Sequence, residues 1–491
     1  MAAVLCAAIG VPGIAHAGCK EVLAALGDTV VDVTCVPSTD LTTNNPATTP
    51  ADNSIPGLPP GAFTPTTDRT VISPDPPNRT PITKAVPGIQ LNGRFADDPT
   101  KEARFLLRFP DDWNGSLVVA GASGTRSEFN GDFAWSDYVV QKGYAYASQN
   151  KGVLNLKITG IGLPTPPTAN SCRLNPSSTI WVEFYDNDPA KPFTQWTQYI
   201  VEATGLAKQA VKAQYNHHPR RTYAVGTSNG GYQVRRALEV APALFDGGVD
   251  WEGTFVDALG PNILIDLPPA IRNWPDYVAS GFNPNSQAAK NIEAAGYPPD
   301  IPGAPLTFWG RYWNQFWEVT QCQWQKRFDP TWTTYTDGPN NVTGTGGYSY
   351  YARIAADPSI AARVAAIATT GDLKRPLVTV AGTMDALLPI KRGARAYEAL
   401  VSAQGRDRDA GGGRSPQYRL YEVQNGNHIE TYKNTFPQLE FIQPHAQKAF
   451  DLLVNHIENG ALLPASQCIP RGGAISATPA KAGHCASLLA P

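Results

Sequence analysis

The sequence predicts an α/β fold: a mostly parallel, twisted sheet with helices on both faces, carrying an inserted aromatic-rich lid subdomain. Three observations point there. Short apolar runs alternate with helical patterns along most of the chain, which is how a parallel sheet is assembled. One such run, Arg221 to Val225, passes through Gly226-Thr-Ser-Asn-Gly230 into a helical run at Gln233 to Val240. Residues 251–332 break the alternation and hold seven of the eleven tryptophans.

At 491 residues the chain can bury a large core. The formal net charge of -2, with no Lys/Arg-dense run, argues against a nucleic-acid partner and against purely electrostatic attachment to a membrane. Charged residues make up 17%, while Gly and Pro number 44 each, a composition that favours long ordered loops. Met1 to Ala17 has an apolar run, Ala2 to Ile14, ending in Ala15-His16-Ala17. This reads as a signal peptide with an A-x-A cleavage site, although its positive n-region is missing. No other apolar stretch is long enough to span a bilayer. Cys6 leaves with the signal. The remaining six cysteines, Cys19, Cys35, Cys172, Cys322, Cys468 and Cys485, favour disulfides in an exported chain. Proximity suggests Cys19–Cys35 and Cys468–Cys485, leaving Cys172 with Cys322. None forms a C-x-x-C pair, which argues against a zinc cluster. The expected location is secreted or periplasmic.

In chain order, residues 18–87 read as an N-terminal arm, Pro/Thr-rich from Pro37 to Pro87. Gly88 to Arg94 and Glu102 to Phe109 read as strands. Leu117-Val-Val-Ala120 has no polar face, as a strand buried in the middle of a parallel sheet should not. Phe133 to Lys142 is helical in pattern and Gly143 to Ser148 is the next strand. Phe193 to Tyr215 is an amphipathic helix with Ile200, Ala203, Leu206, Ala210 and Val211 on its apolar side. After the strand at Phe245 to Asp250, residues 251–360 form the expected insertion. The first core segment is thus 88–250. The second, 361–465, contains strands at Leu377 to Ala381 and, last, Tyr418 to Val423, before a tail at 466–491. Trp309, Trp313 and Trp317, four apart, fall near one helical face. They read either as the core of the inserted subdomain or as an aromatic lid over substrate.

Gly226-Thr-Ser-Asn-Gly230 fits G-x-S-x-G, in which a serine on a sharp strand-to-helix turn needs small neighbours two residues away. The ordinary alternative is an exposed Gly/Ser turn. An acid and a histidine following in that order favour the catalytic reading. Asp385 lies in Gly382-Thr-Met-Asp-Ala-Leu-Leu-Pro389 at the end of a buried strand, and is preferred over a helix-capping role and over the rival Asp250. His428 lies in Gln424-Asn-Gly-Asn-His after the Tyr418 to Val423 strand. The Gly-rich loop Gly121-Ala-Ser-Gly-Thr125, with Ser123 and Gly124, reads either as an ordinary strand-to-helix turn or as the source of an oxyanion donor beside the backbone N–H of Asn229.

Ser228, Asp385 and His428 occur in the order of the α/β-hydrolase fold. Within it the chain resembles the tannase and feruloyl esterase group and the secreted hydroxyalkanoate oligomer hydrolases. The similar parts are Asp112-Trp-Asn-Gly115, the Gly-Thr-Ser-Asn-Gly-Gly elbow, the large insertion, Gly-Thr-Met-Asp and Asn-Gly-Asn-His. The resemblance implies a serine esterase that cleaves carboxylic esters through an acyl-enzyme, with Ser228 as nucleophile, His428 as base and Asp385 as its orienting acid. No cofactor is expected, and the partner is an ester, whether small molecule, oligomer or polymer. One departure is that tannase-type enzymes flank the serine and histidine with bonded cysteines, where Thr227 and Ile429 stand here. A serine peptidase or amidase on the same fold, and a silent binding protein on it, are the rival readings.

Overall fold

The computed structural model describes residues 18–48, 80–124, 127–153, 157–183, 192–332, 344–406, 418–480 and 482–491. The expected signal peptide at 1–17 and most of the Pro/Thr-rich segment lie outside the described residues. Thirteen strands are described: β1 (Val30–Ser38), β2 (Gly88–Phe95), β3 (Arg104–Pro110), β4 (Ser116–Gly121), β5 (Ala145–Gln149), β6 (Lys157–Gly160), β7 (Cys172–Arg173), β8 (Trp181–Glu183), β9 (Arg221–Thr227), β10 (Gly247–Trp251), β11 (Leu377–Gly382), β12 (Tyr418–Val423) and β13 (Gln467–Ile469). Ten of them make one sheet in the order β1-β2-β3-β5-β4-β9-β10-β11-β12-β13. The pairs from β1 to β5 that involve β2 and β3 are antiparallel; from β5 onward every pair is parallel. This is the α/β-hydrolase arrangement, and helices cover both faces.

Every residue of β4, β10 and β11 is buried, which explains strands without a polar face. Alternate residues of one strand enter different cores. Leu117 and Val119 join one apolar cluster, with Ala224 of β9. Val118 and Ala120 join the other, with Tyr223 and Val225. The helix Thr194–Tyr215 buries Ile200, Ala203, Ala207, Ala210 and Val211, and its small residues let it lie close to the first face. The helix Gln443–Asn459 covers the second with Ala446, Ala449, Phe450 and Leu453.

Several elements differ from the sequence expectations. The segment read as an arm begins with a helix, Cys19–Leu26, and an edge strand, β1, paired antiparallel to β2. Its alternation was hidden by the edge position, where one side faces solvent. Tyr418–Val423 is not the last strand, because β13 follows in the tail and pairs parallel to it. The helix expected at Phe133 to Lys142 is a π-helical turn, Asp132–Ser136, continued by a single α-turn, Asp137–Val140. A small sheet of β6, β8 and β7 was not foreseen.

The insertion between β10 and β11 is helical and closes around its own aromatic cluster. The run carrying the spaced tryptophans is Phe308–Tyr312, a π-turn at Trp313–Trp317, then Glu318–Phe328. The wider π-turn brings residues four apart more nearly into line. Trp274 stacks on Trp313 at 5.8 Å and meets Trp317 edge-on at 6.1 Å, while Tyr277 packs on Trp309 at 5.2 Å. Both partners belong to the helix Ile263–Ala279, so the three indoles share one side and serve chiefly as a core.

All three disulfides pair as spacing suggested: Cys19–Cys35, Cys172–Cys322 and Cys468–Cys485. The second ties β7 to the helix Glu318–Phe328 across 150 residues. Among the described residues, no helix is long and apolar enough to cross a membrane.

Candidate active site

Ser228 sits between β9 and the helix Asn229–Val240, with φ 59° and ψ -124°. A left-handed φ is uncommon for serine and persists only where the surroundings impose it. Here three glycines impose it. A Cβ on Gly226 would lie 2.3 Å from the Gly230 carbonyl oxygen, and one on Gly230 would lie 2.6 Å from that of Gly121. Strand, helix and the loop after β4 therefore meet backbone to backbone. The Ser228 N–H donates to the Trp251 carbonyl at 2.9 Å, anchoring the turn to β10.

His428 Nε2 lies 3.1 Å from Ser228 Oγ, and His428 Nδ1 lies 2.8 Å from Asp385 Oδ2. The structure thus brings together all three residues proposed from their order. Asp385 Oδ1 accepts the N–H groups of Leu387 and Leu388, each at 2.7 Å, which aims Oδ2 at the imidazole. The loops bearing acid and histidine are stitched to each other. The Met384 N–H donates to the Gly426 carbonyl at 2.8 Å, and the Asn425 N–H to Thr383 Oγ1 at 2.9 Å. A Cβ on Gly382 would lie 2.3 Å from the Gly426 oxygen, so this approach requires glycine.

Burial opposes protonation of His428, but the Asp385 charge and hydrogen bond, and then Glu252, outweigh it and raise its pKa to about 9. The rival acid Asp250 is turned elsewhere. It pairs with the buried Arg235 at 2.6 Å and accepts from Gly253 N–H at 2.7 Å and Thr379 Oγ1 at 2.8 Å.

Two residues farther on stands Glu252, which sequence reasoning missed. Its Oε2 is 3.5 Å from His428 Nδ1, and its Oε1 accepts the Gly382 N–H at 2.8 Å. Its position just past the end of a central strand was the available signal. Glu252, Asp385 and His428 place donor atoms within 4.8 Å of one another, although His428 Nδ1 and Asp385 Oδ2 already hydrogen-bond each other.

The loop after β4 is held against the elbow helix. Gln233 accepts the Ala122 N–H at 2.8 Å, and Lys151 Nζ donates to the Ser123 carbonyl at 2.6 Å. Ser123 and Gly124 are half-buried, and a Cβ on Gly124 would meet no atom of the described residues within 4 Å. Asn229 starts the elbow helix, and its side-chain oxygen accepts from Thr254 at 2.8 Å.

Residues 339–488 match the family model described as 3HB-oligomer hydrolase, a stretch that includes Asp385 and His428 but not Ser228. The chain is similar to the D-(-)-3-hydroxybutyrate oligomer hydrolase of Burkholderia thailandensis, at 38% identity over 129 residues; that is 25% of this chain and 17% of the relative. The match thus spans less than a fifth of that relative's length. Among solved structures, feruloyl esterase B from Aspergillus oryzae superposes with a TM-score of 0.45 and 13% identity, covering 88% of each chain. Tannin acyl hydrolase from Aspergillus niger gives 0.44 and 13%, covering 90% of this chain and 87% of that one.

Proposed function

We propose that this chain is a serine hydrolase of carboxylic esters, with short hydroxyalkanoate oligoesters as its substrate class. The observation that carries the reaction is the hydrogen-bonded line Ser228–His428–Asp385 on a strained elbow. The similarity to hydroxybutyrate oligomer hydrolases supports the substrate class. In this reading His428 Nε2 takes the Ser228 proton as Oγ attacks the ester carbonyl. Asp385 keeps the proton on Nδ1 and stabilises the imidazolium. The alkoxide leaves with the proton returned by His428, and water, activated by the same imidazole, releases the acid. Backbone N–H groups of Asn229 and of Ser123 or Gly124 face the oxyanion, aided by the N-terminal end of the elbow helix. The two sheet segments, 88–250 and 361–465, then hold the machinery, and 251–360 braces and covers it. Three disulfides support an oxidising compartment and hence export.

Turnover of hydroxybutyrate dimers and trimers, aromatic esters and matched anilides by wild type and Ser228→Ala tests this. Oligoester hydrolysis that drops by about 10⁴-fold or more in the variant is expected. Turnover unaffected by Ser228→Ala would overturn the mechanism. Preference for anilides would move the answer to a peptidase, and failure of wild type to react with a fluorophosphonate would leave a silent binder.

A further inference from the structure

Behind His428 stand two acids, and only one has a full set of partners. Asp385 spends one oxygen on Leu387 and Leu388 and the other on His428. Glu252 spends Oε1 on the Gly382 N–H, while Oε2 has no hydrogen-bond partner among the described residues and is 3.5 Å from the same Nδ1. The side chain is buried, at 2% exposure. An unpartnered carboxyl oxygen in such a place is expensive.

The placement is also tightly constrained. Glu252 has φ 52°, a left-handed value that costs energy in a glutamate. Its N–H donates to the Val380 carbonyl at 2.9 Å, continuing the β10–β11 pairing one residue past β10 and fixing the backbone that aims the carboxyl at the histidine. The titratable groups that bear on it are Asp385, His428 and Glu430, with the buried Tyr312 phenol also nearby. Burial first, then the Asp385 charge, hold the Glu252 carboxyl well above the usual range.

We propose that Glu252 is a second positioning acid for His428, able to take over the Nδ1–H hydrogen bond when Asp385 is removed. Closing from 3.5 Å to the 2.8 Å seen at Asp385 needs a shift of only about 0.7 Å. Loss of the Asp385 charge removes a repulsion that opposes the ionised form of Glu252. This inference rests on the ester-hydrolase reading above.

The experiment is a double-mutant cycle on the full chain with a hydroxybutyrate dimer: wild type, Asp385→Ala, Glu252→Gln and the double variant, each with a pH profile of kcat/KM. Removing the sole acid of such a triad costs about 10⁴-fold in kcat. Here Asp385→Ala is expected to lose only about 10²-fold, and adding Glu252→Gln to lose about 10²-fold more, whereas Glu252→Gln alone costs less than tenfold. The ascending limb of kcat/KM moves to lower pH in Glu252→Gln, because a carboxyl that supports the imidazolium is gone. If Asp385→Ala does not fold, the pH limb of Glu252→Gln, in which Asp385 is intact, carries the test. A double variant no worse than Asp385→Ala, with an unmoved pH limb in Glu252→Gln, overturns the inference while leaving the ester-hydrolase reading standing. Absence of Ser228-dependent turnover in wild type overturns both.

Discussion

The indole N–H of Trp317 donates to the carbonyl of Ala386, one residue past Asp385, at 2.7 Å. One helical turn earlier, the Tyr312 hydroxyl bonds to Asn427, the neighbour of His428. The aromatic insertion thus grips both loops of the candidate site from a single helical run. A misplacement of about 1 Å at a reacting group can cost 10²-fold in rate, so bracing of this kind matters for chemistry as well as for stability.

Trp317→Phe keeps an aromatic ring but loses the indole N–H and part of the buried volume, leaving the Ala386 carbonyl buried and unpaired. A loss of about 1–3 kcal/mol in unfolding free energy is expected, together with a kcat lowered by roughly tenfold. Urea denaturation and steady-state kinetics on the same preparation read both. A rate unchanged in a destabilised variant would show that the brace serves the fold alone.

With a pKa near 9, His428 carries a proton at neutral pH, and only the neutral imidazole can act as base. The value of kcat/KM is therefore expected to climb with pH at unit slope and level off near pH 9. Stability runs the other way. The folded pKa lies above the ordinary 6.5, so the stabilisation by protonated His428 is fully present below pH 6.5 and lost as pH rises to about 9. The difference in unfolding free energy between wild type and His428→Gln should shrink by roughly 3 kcal/mol across that window. A flat difference would sink the assignment.

Asp250 should prove structural. Asp250→Asn breaks a pair with Arg235 in which neither side chain is exposed, and a cost of about 3–5 kcal/mol is expected. The folded fraction should retain kcat/KM within tenfold of wild type, measured at a temperature where the variant is still native. A loss on the scale of a missing triad acid would restore Asp250 as the rival.

Replacing Cys172 and Cys322 together by serine frees a 150-residue loop. The expected cost is about 2–5 kcal/mol, seen as a lower Tm in non-reducing buffer. Local proteolysis should then begin around β7 and the helix Glu318–Phe328, which the bridge joins.

Much of the site was legible because its signals are local. The glycines at 226 and 230 and the small loop after Leu117-Val-Val-Ala120 follow from what a sharp strand-to-helix turn tolerates, and the structure shows the backbone contacts that demand them. Asp385 and His428 were found because each sits just past a buried apolar strand, in chain order after the serine. Cysteine spacing was enough for the three bridges. The two edges of the sheet were less legible: β1 is largely exposed and β13 has three residues, too few to show a period.

Alternation, glycine placement and the order Ser228, Asp385, His428 were within the reach of the sequence by itself, since each depends on neighbours a few residues away. The tertiary structure alone decided that Glu252, rather than Asp250, faces the imidazole. That choice depends on the register of β10 with β9 and β11 and on a left-handed residue just past the strand, neither of which leaves a local pattern. It also decided that the spaced tryptophans form a core and that Trp317 holds the Ala386 carbonyl, because groups separated by 69 residues meet only once the sheet has set their distance.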